Sequence, residues 1–85
     1  MSDSEDLLTK VREVFETVFG IDPQSVTMET TPAEISFWDS AGHLSLAASL
    51  EESFGISLDV DDLVEMTSVR EIARIVNDKM KSATR

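Results

Sequence analysis

The chain has 85 residues, a formal net charge of −10 and no cysteine. That length makes one domain with a small core. The missing cysteines exclude a disulfide framework and a thiolate metal site and fit a reducing, cytoplasmic setting. The charge excludes affinity for nucleic acid phosphates or anionic lipid. No apolar run reaches membrane-spanning length, and the acidic opening over residues 1–6 is the opposite of a secretory or transit start. Cations occur only at Lys10, Arg12, Arg70, Arg74, Lys79, Lys81 and Arg85. The whole span 13–69 is acidic, a surface that attracts proteins with basic patches.

Residues 7–19 place Leu8, Val11, Val14, Phe15 and Val18 at steps of three and four, which predicts an amphipathic helix. Gly20 supplies a left-handed stop, and Ile21 is expected to fold back onto the helix end. Residues 22–37 read as a long connection. Pro23 and Pro32 interrupt helix, and Thr27, Thr30 and Thr31 favour extended backbone. Val26, Met28, Ile35 and Phe37 are expected to pack this loop onto the bundle. A short helical turn near residues 31–34 is compatible with that path.

Helical spacing resumes after Asp39. Leu44, Ala47, Leu50 and Phe54 read as the core stripe of a second long helix, with Leu46 and Ala48 beside it. A short carboxylate at the start of such a pattern accepts hydrogen bonds from free backbone N–H groups. Asp39 is therefore the expected N-cap and Ser40 the first helical residue. A helix start carries partial positive charge and unpaired donors, so a phosphate on Ser40 would be stabilised there. Ala47 and Ala48 either let a neighbouring helix approach or leave room for a bound group. Glu51 and Glu52 are expected to face water near the far end, and Gly55 to end the helix.

Asp59 is expected to cap a short third helix. Asp61 and Asp62 stand in its first turn, and Val60, Leu63, Val64 and Met66 form its apolar side. This acidic run is not a calcium loop. Val64 stands where such a loop needs Gly, and Arg70 where it needs the closing Glu, so no metal site is read. Ser68 and Glu71 form a capping box opening a fourth helix with Val69, Ile72, Ala73, Ile75, Val76 and Met80. Residues 82–85 read as a frayed tail. The expected fold is all-α, a small antiparallel bundle of three long helices plus one short helix. It is one domain over residues 1–85 with an ordered core over about 5–81.

The pair Asp39-Ser40, then Leu44, then Leu50-Glu51-Glu52-Ser53-Phe54-Gly55-Ile56 and Met66-Thr67-Ser68-Val69, resembles the acyl carrier protein family. The likeness runs from Leu7 to about Met80. The resemblance implies a freestanding, monomeric carrier with no catalytic residue of its own. It implies 4'-phosphopantetheine, taken from coenzyme A, esterified to Ser40, with acyl or aminoacyl intermediates carried as thioesters on its thiol. It implies as partners a phosphopantetheinyl transferase and acyl-loading and acyl-transfer enzymes with basic docking patches. Candidate docking residues are Trp38, Ala41, Glu51, Glu52, Asp61, Asp62 and Glu65. Trp38 reads equally as core packing or as a shield for the base of the arm.

His43, three residues after Ser40, is expected to face solvent, either in reach of a phosphate on Ser40 or idle. In the resembled family, fatty-acid carriers commonly place acids two and five residues after the serine, and a Leu or Met directly after it. Here those positions hold Gly42, Ser45 and Ala41. The Leu-Gly-Gly-(His/Asp)-Ser signature of peptidyl carriers is also missing, since Ser36-Phe37-Trp38-Asp39 stands there. These departures imply a specialised biosynthetic pathway in lipid or polyketide metabolism. Two other readings stand beside the carrier. One is a helical protein-interaction domain with an acidic docking face and no prosthetic group. The other is a small hydrolase using Ser40 and His43, which lacks a Gly-x-Ser-x-Gly elbow and the size for a substrate cleft.

Overall fold

The computed structural model describes residues 3–83. Its elements are α1 (Asp3–Phe19), 3₁₀ turns at Pro23–Ser25 and Pro32–Glu34, α2 (Ser40–Phe54), α3 (Val60–Glu65) and α4 (Val69–Ala83). Three long helices and one short one make the all-α bundle that the apolar spacing predicts. α1 begins a turn earlier than its apolar pattern, at Asp3, so the acidic opening is largely helical. α4 takes in residues 82 and 83, which had read as frayed tail. Residues 84–85 of that tail, like residues 1–2, lie outside the described residues.

Val11, Phe15, Val26, Leu46, Leu50, Val69 and Ile72 are fully buried and join α1, α2, α4 and the long loop in one core. Each Leu, Ile or Phe so placed contributes about 1.5–3 kcal/mol. The core face of α2 differs from the expected one. Leu46, Ala47 and Leu50 point inward, whereas Leu44 is 63% exposed. Two residues span about 200° of a helix, so Leu44 and Leu46 cannot share a face. α3 likewise turns Leu63 toward the bundle, with Met66 buried just after it, and leaves Val60 and Val64 exposed.

The long loop is pinned rather than loose. Arg12 Nε donates to the Val26 carbonyl at 2.8 Å, and Thr27 N donates to the buried Thr30 Oγ1 at 2.9 Å. The Val69 and Arg70 N–H groups at the start of α4 donate to the Thr30 and Met28 carbonyls at 2.9 and 3.0 Å. Val26 and Ile35 enter the core and Met28 packs against it, but Phe37 stands out, 69% exposed. Gly55 closes α2 at φ 65°, a left-handed conformation that only Gly adopts without strain, and its N–H donates to the Glu51 carbonyl.

Candidate functional site

Asp39 takes an extended conformation just before α2, and its Oδ1 accepts from Gly42 N at 2.9 Å. It is the expected N-cap, and Ser40 is the first helical residue, exposed on the tip. The Asp39 carbonyl accepts from His43 N at 2.7 Å. The N–H groups of Ser40 and Ala41 are therefore the open donors of this helix start. With the dipole behind them, they suit an anion carried on the Ser40 hydroxyl.

Ser40 stands between two grooves. One, of about 620 Å³, lies between the start of α2 and α3 and is bordered by Trp38, His43, Leu44, Leu63 and Val64. The other, of about 420 Å³, lies toward α1 and is bordered by Val18, Phe37, Ala41 and Ser45. Asp39 borders both.

His43 does not face solvent as expected. Its Nδ1 lies 2.7 Å from Trp38 Nε1, and its Nε2 lies 2.8 Å from the Leu63 carbonyl oxygen. An indole N–H only donates and a carbonyl only accepts. Nδ1 must then be the acceptor and Nε2–H the donor, which specifies a neutral imidazole tying the loop and α2 to α3. Both nitrogens are spent, so neither is left for a phosphate on Ser40 or for activating its hydroxyl. This removes the basis of the hydrolase reading.

Trp38 is 4% exposed, which corrects its placement among docking residues. Its ring stands edge-on to Phe15 at 5.1 Å and parallel to His43 at 6.1 Å. The acidic candidates divide. Glu51 is half-buried rather than facing water, and its Oε2 accepts from Leu58 N at 2.7 Å, bridging the turn after α2. Asp62 receives Lys79 Nζ at 2.9 Å, and Glu65 receives Arg74 at 3.1 Å, both from α4. The Lys79 hydrogen bond holds the Asp62 carboxyl below its usual range, and that same bond holds Lys79 above its own. Glu52, Asp61 and Ala41 remain exposed.

Gly42 matters in a way that the sequence reading missed. A Cβ there would lie 1.9 Å from the Phe37 carbonyl oxygen and 3.0 Å from the Phe19 ring. The loop backbone lies against the bare Cα of this helix residue. A glycine in the first turn of a helix is the one signal that marks such an approach in a sequence.

An exposed serine at the start of a long helix suits the attachment of an anionic group, and the comparisons say in which family. Residues 9–76 match the family profile described as the phosphopantetheine attachment site. The chain is 29% identical over 80 residues to an acyl carrier protein of Thermosynechococcus vestitus, covering 94% of this chain and 98% of that one. It is 32% identical over 69 residues to an acyl carrier protein of Rubrobacter xylanophilus, covering 81% and 85%. The solution NMR structure of a holo acyl carrier protein from Geobacter metallireducens superposes with a TM-score of 0.82 at 30% identity, covering 91% of this chain and 88% of that one. The chain belongs to the acyl carrier protein family. Its cofactor is 4'-phosphopantetheine, and as a carrier it works with transferases and synthases. No helix among the described residues is long and apolar enough to cross a membrane.

Proposed function

We propose that Ser40 is the attachment point, and that residues 1–85 form one cytoplasmic, monomeric carrier domain serving a specialised biosynthetic pathway. The observation that carries the attachment is the exposed Ser40 hydroxyl at the first position of α2, beside the capping Asp39 and two open backbone donors. In the loading step the Ser40 oxygen bonds to the phosphorus nearest pantetheine in coenzyme A. The phosphoanhydride bond breaks, adenosine bisphosphate leaves, and the hydroxyl proton passes to the transferase or to water. The partner supplies positioning and charge stabilisation. The group supplies a thiol on which acyl or aminoacyl cargo rides as a thioester.

This chain's residues do three things in that scheme. Asp39 fixes the helix start, Ser40 presents the hydroxyl, and the open N–H groups favour the resulting phosphodiester. Glu52 and Asp61 are the expected docking acids still open to a basic partner, and Ala41 is the small residue beside the serine. Gly42 supports the specialised reading. The close Phe37 carbonyl leaves no room for an acidic side chain at that position, so an enzyme that reads one there would find nothing to bind.

The test is the intact mass of the protein isolated from its native host. A mass increase of one phosphopantetheine, with or without cargo, localised to Ser40, supports the proposal. An unmodified protein from cells that contain the loading enzyme contradicts it and favours an interaction domain without a prosthetic group.

A further inference from the structure

We propose that His43 is a pH-sensitive clasp: a proton on its Nδ1 disconnects the buried Trp38 from α2 and loosens the loop that leads into Ser40. The ring sits between two partners whose roles are fixed. Trp38 Nε1, 2.7 Å from Nδ1, only donates, and the Leu63 carbonyl, 2.8 Å from Nε2, only accepts. A neutral ring with its proton on Nε2 satisfies both. An imidazolium carries N–H on both nitrogens, so its Nδ1–H would meet the indole N–H, donor against donor. Rotating the ring by half a turn changes nothing, because either nitrogen then donates. The Leu63 bond survives protonation and the Trp38 bond does not.

The lost bond has no substitute in place. Among the described residues no buried side-chain nitrogen or oxygen lacks a hydrogen-bond partner, so the indole N–H would become the exception. Trp38 is 4% exposed, and water reaches its N–H only if the ring or its loop shifts. Asp39 alone separates Trp38 from Ser40, so such a shift is felt at the helix start. His43 itself is half-buried and borders the open groove of about 620 Å³ beside Ser40, which admits water and protons. The groups around the ring do not bar a proton. On the loop, Asp39 borders the same groove, and Glu34 is turned to Thr31. α2 carries no other charged side chain before Glu51. Of the α3 acids, Asp59 caps the helix, Asp61 is exposed, and Asp62 and Glu65 are paired with Lys79 and Arg74 of α4. α1 presents the uncharged rings of Phe15 and Phe19 to Trp38. No Lys or Arg stands on the loop, α2 or α3. The neutral ring makes the bond, so its contribution is present at higher pH and lost as pH falls through the titration of the ring.

The experiment is an NMR titration of the isotope-labelled protein from about pH 8 to about pH 5, the range in which imidazoles change charge and carboxylates largely keep theirs. The chain has one tryptophan and one histidine, so the indole N–H and the imidazole carbon-bound protons are unambiguous probes. The indole N–H resonance should shift with the same midpoint as the His43 ring. Its protection from solvent exchange, relative to free tryptophan, should fall about tenfold, the factor that one lost hydrogen bond sets. The Ser40 and Ala41 amide resonances should shift with that midpoint too. Amide exchange around Leu63, corrected for the intrinsic rate, should stay within about twofold over the same range, because the Leu63 bond survives. His43→Gln offers an acceptor and a donor from one amide and does not titrate, so its indole resonance should stay flat. Should His43→Gln fail to fold by circular dichroism, the paired midpoints of the parent decide the matter alone. An indole resonance that stays still while the His43 ring titrates would overturn the clasp. So would a ring that stays neutral throughout, or an equal indole shift in a folded His43→Gln. None of these outcomes depends on what Ser40 carries.

Discussion

Trp38 and His43, five positions apart in sequence, are joined by a 2.7 Å hydrogen bond from the indole N–H to the imidazole Nδ1. The same ring donates from Nε2 to the Leu63 carbonyl, so one side chain ties the loop before Ser40 to α3. His43→Ala leaves the buried Trp38 N–H without an acceptor, which costs about 1–3 kcal/mol. Urea unfolding followed by the fluorescence of this single tryptophan measures the loss. Parent-like stability in His43→Ala would show that the bridge contributes nothing.

Gly42→Ala sets two effects against each other. Alanine gains about 1 kcal/mol of helix propensity over glycine. The added Cβ would lie 1.9 Å from the Phe37 carbonyl oxygen, which forces the loop backbone to move. Overpacking of that kind costs about 1–3 kcal/mol, and a backbone neighbour sits at the upper end. The net expectation is a destabilised protein whose Phe37 and Trp38 environments change, read from urea midpoints and near-UV circular dichroism. A more stable Gly42→Ala would show that the loop does not lie where it is described.

Glu51 and Glu52 are adjacent and look alike in sequence, yet only Glu51 accepts a backbone hydrogen bond, from Leu58 N. Hydrogen bonds to charged groups are worth about 1.5–3 kcal/mol, so Glu51→Ala should lower stability by about that amount. Glu52→Ala, at an exposed position, should change it by less than about 0.5 kcal/mol. Equal effects in chemical denaturation would remove the distinction.

The ion pair between α3 and α4 sets a pH window. The Lys79 hydrogen bond keeps the folded-state pKa of Asp62 below its unfolded value. The pair's contribution through Asp62 is therefore present above the ordinary carboxylate range and lost as pH falls through the lower folded value. Lys79 has its folded-state pKa raised, so its contribution is present below the ordinary lysine range and lost as pH rises through that higher value. Solvent screening keeps the effect small. Amide exchange in α3 should quicken in the parent as pH drops below about 4 relative to the intrinsic rate, and less so in Asp62→Asn. The same acid response in both proteins would mean that the pair does not hold α3.

The helix ends were the most legible part of the chain, because capping depends on residues a few positions apart. Asp39, Asp59 and Gly55 act where their types predict, each through a local hydrogen bond. The Pro32–Glu34 turn was anticipated, and the one at Pro23–Ser25 was not. Apolar and small residues run around much of α2, so spacing alone did not separate Leu44 from Leu46. Tertiary packing made that choice. His43 was misread because its partners Trp38 and Leu63 come from a loop and from another helix. Glu51 was misread for the same reason, its partner being Leu58 beyond the helix end.

The measurement closest to the central claim is intact mass before and after treatment with coenzyme A and a broad-specificity phosphopantetheinyl transferase, on the parent and on Ser40→Ala. Ser40 is exposed and Asp39 keeps the cap, so the substitution should change stability by only about 0.5 kcal/mol or less. One phosphopantetheine is expected on the parent and none on a folded Ser40→Ala. Addition to Ser40→Ala, or no addition to the folded parent, would contradict it.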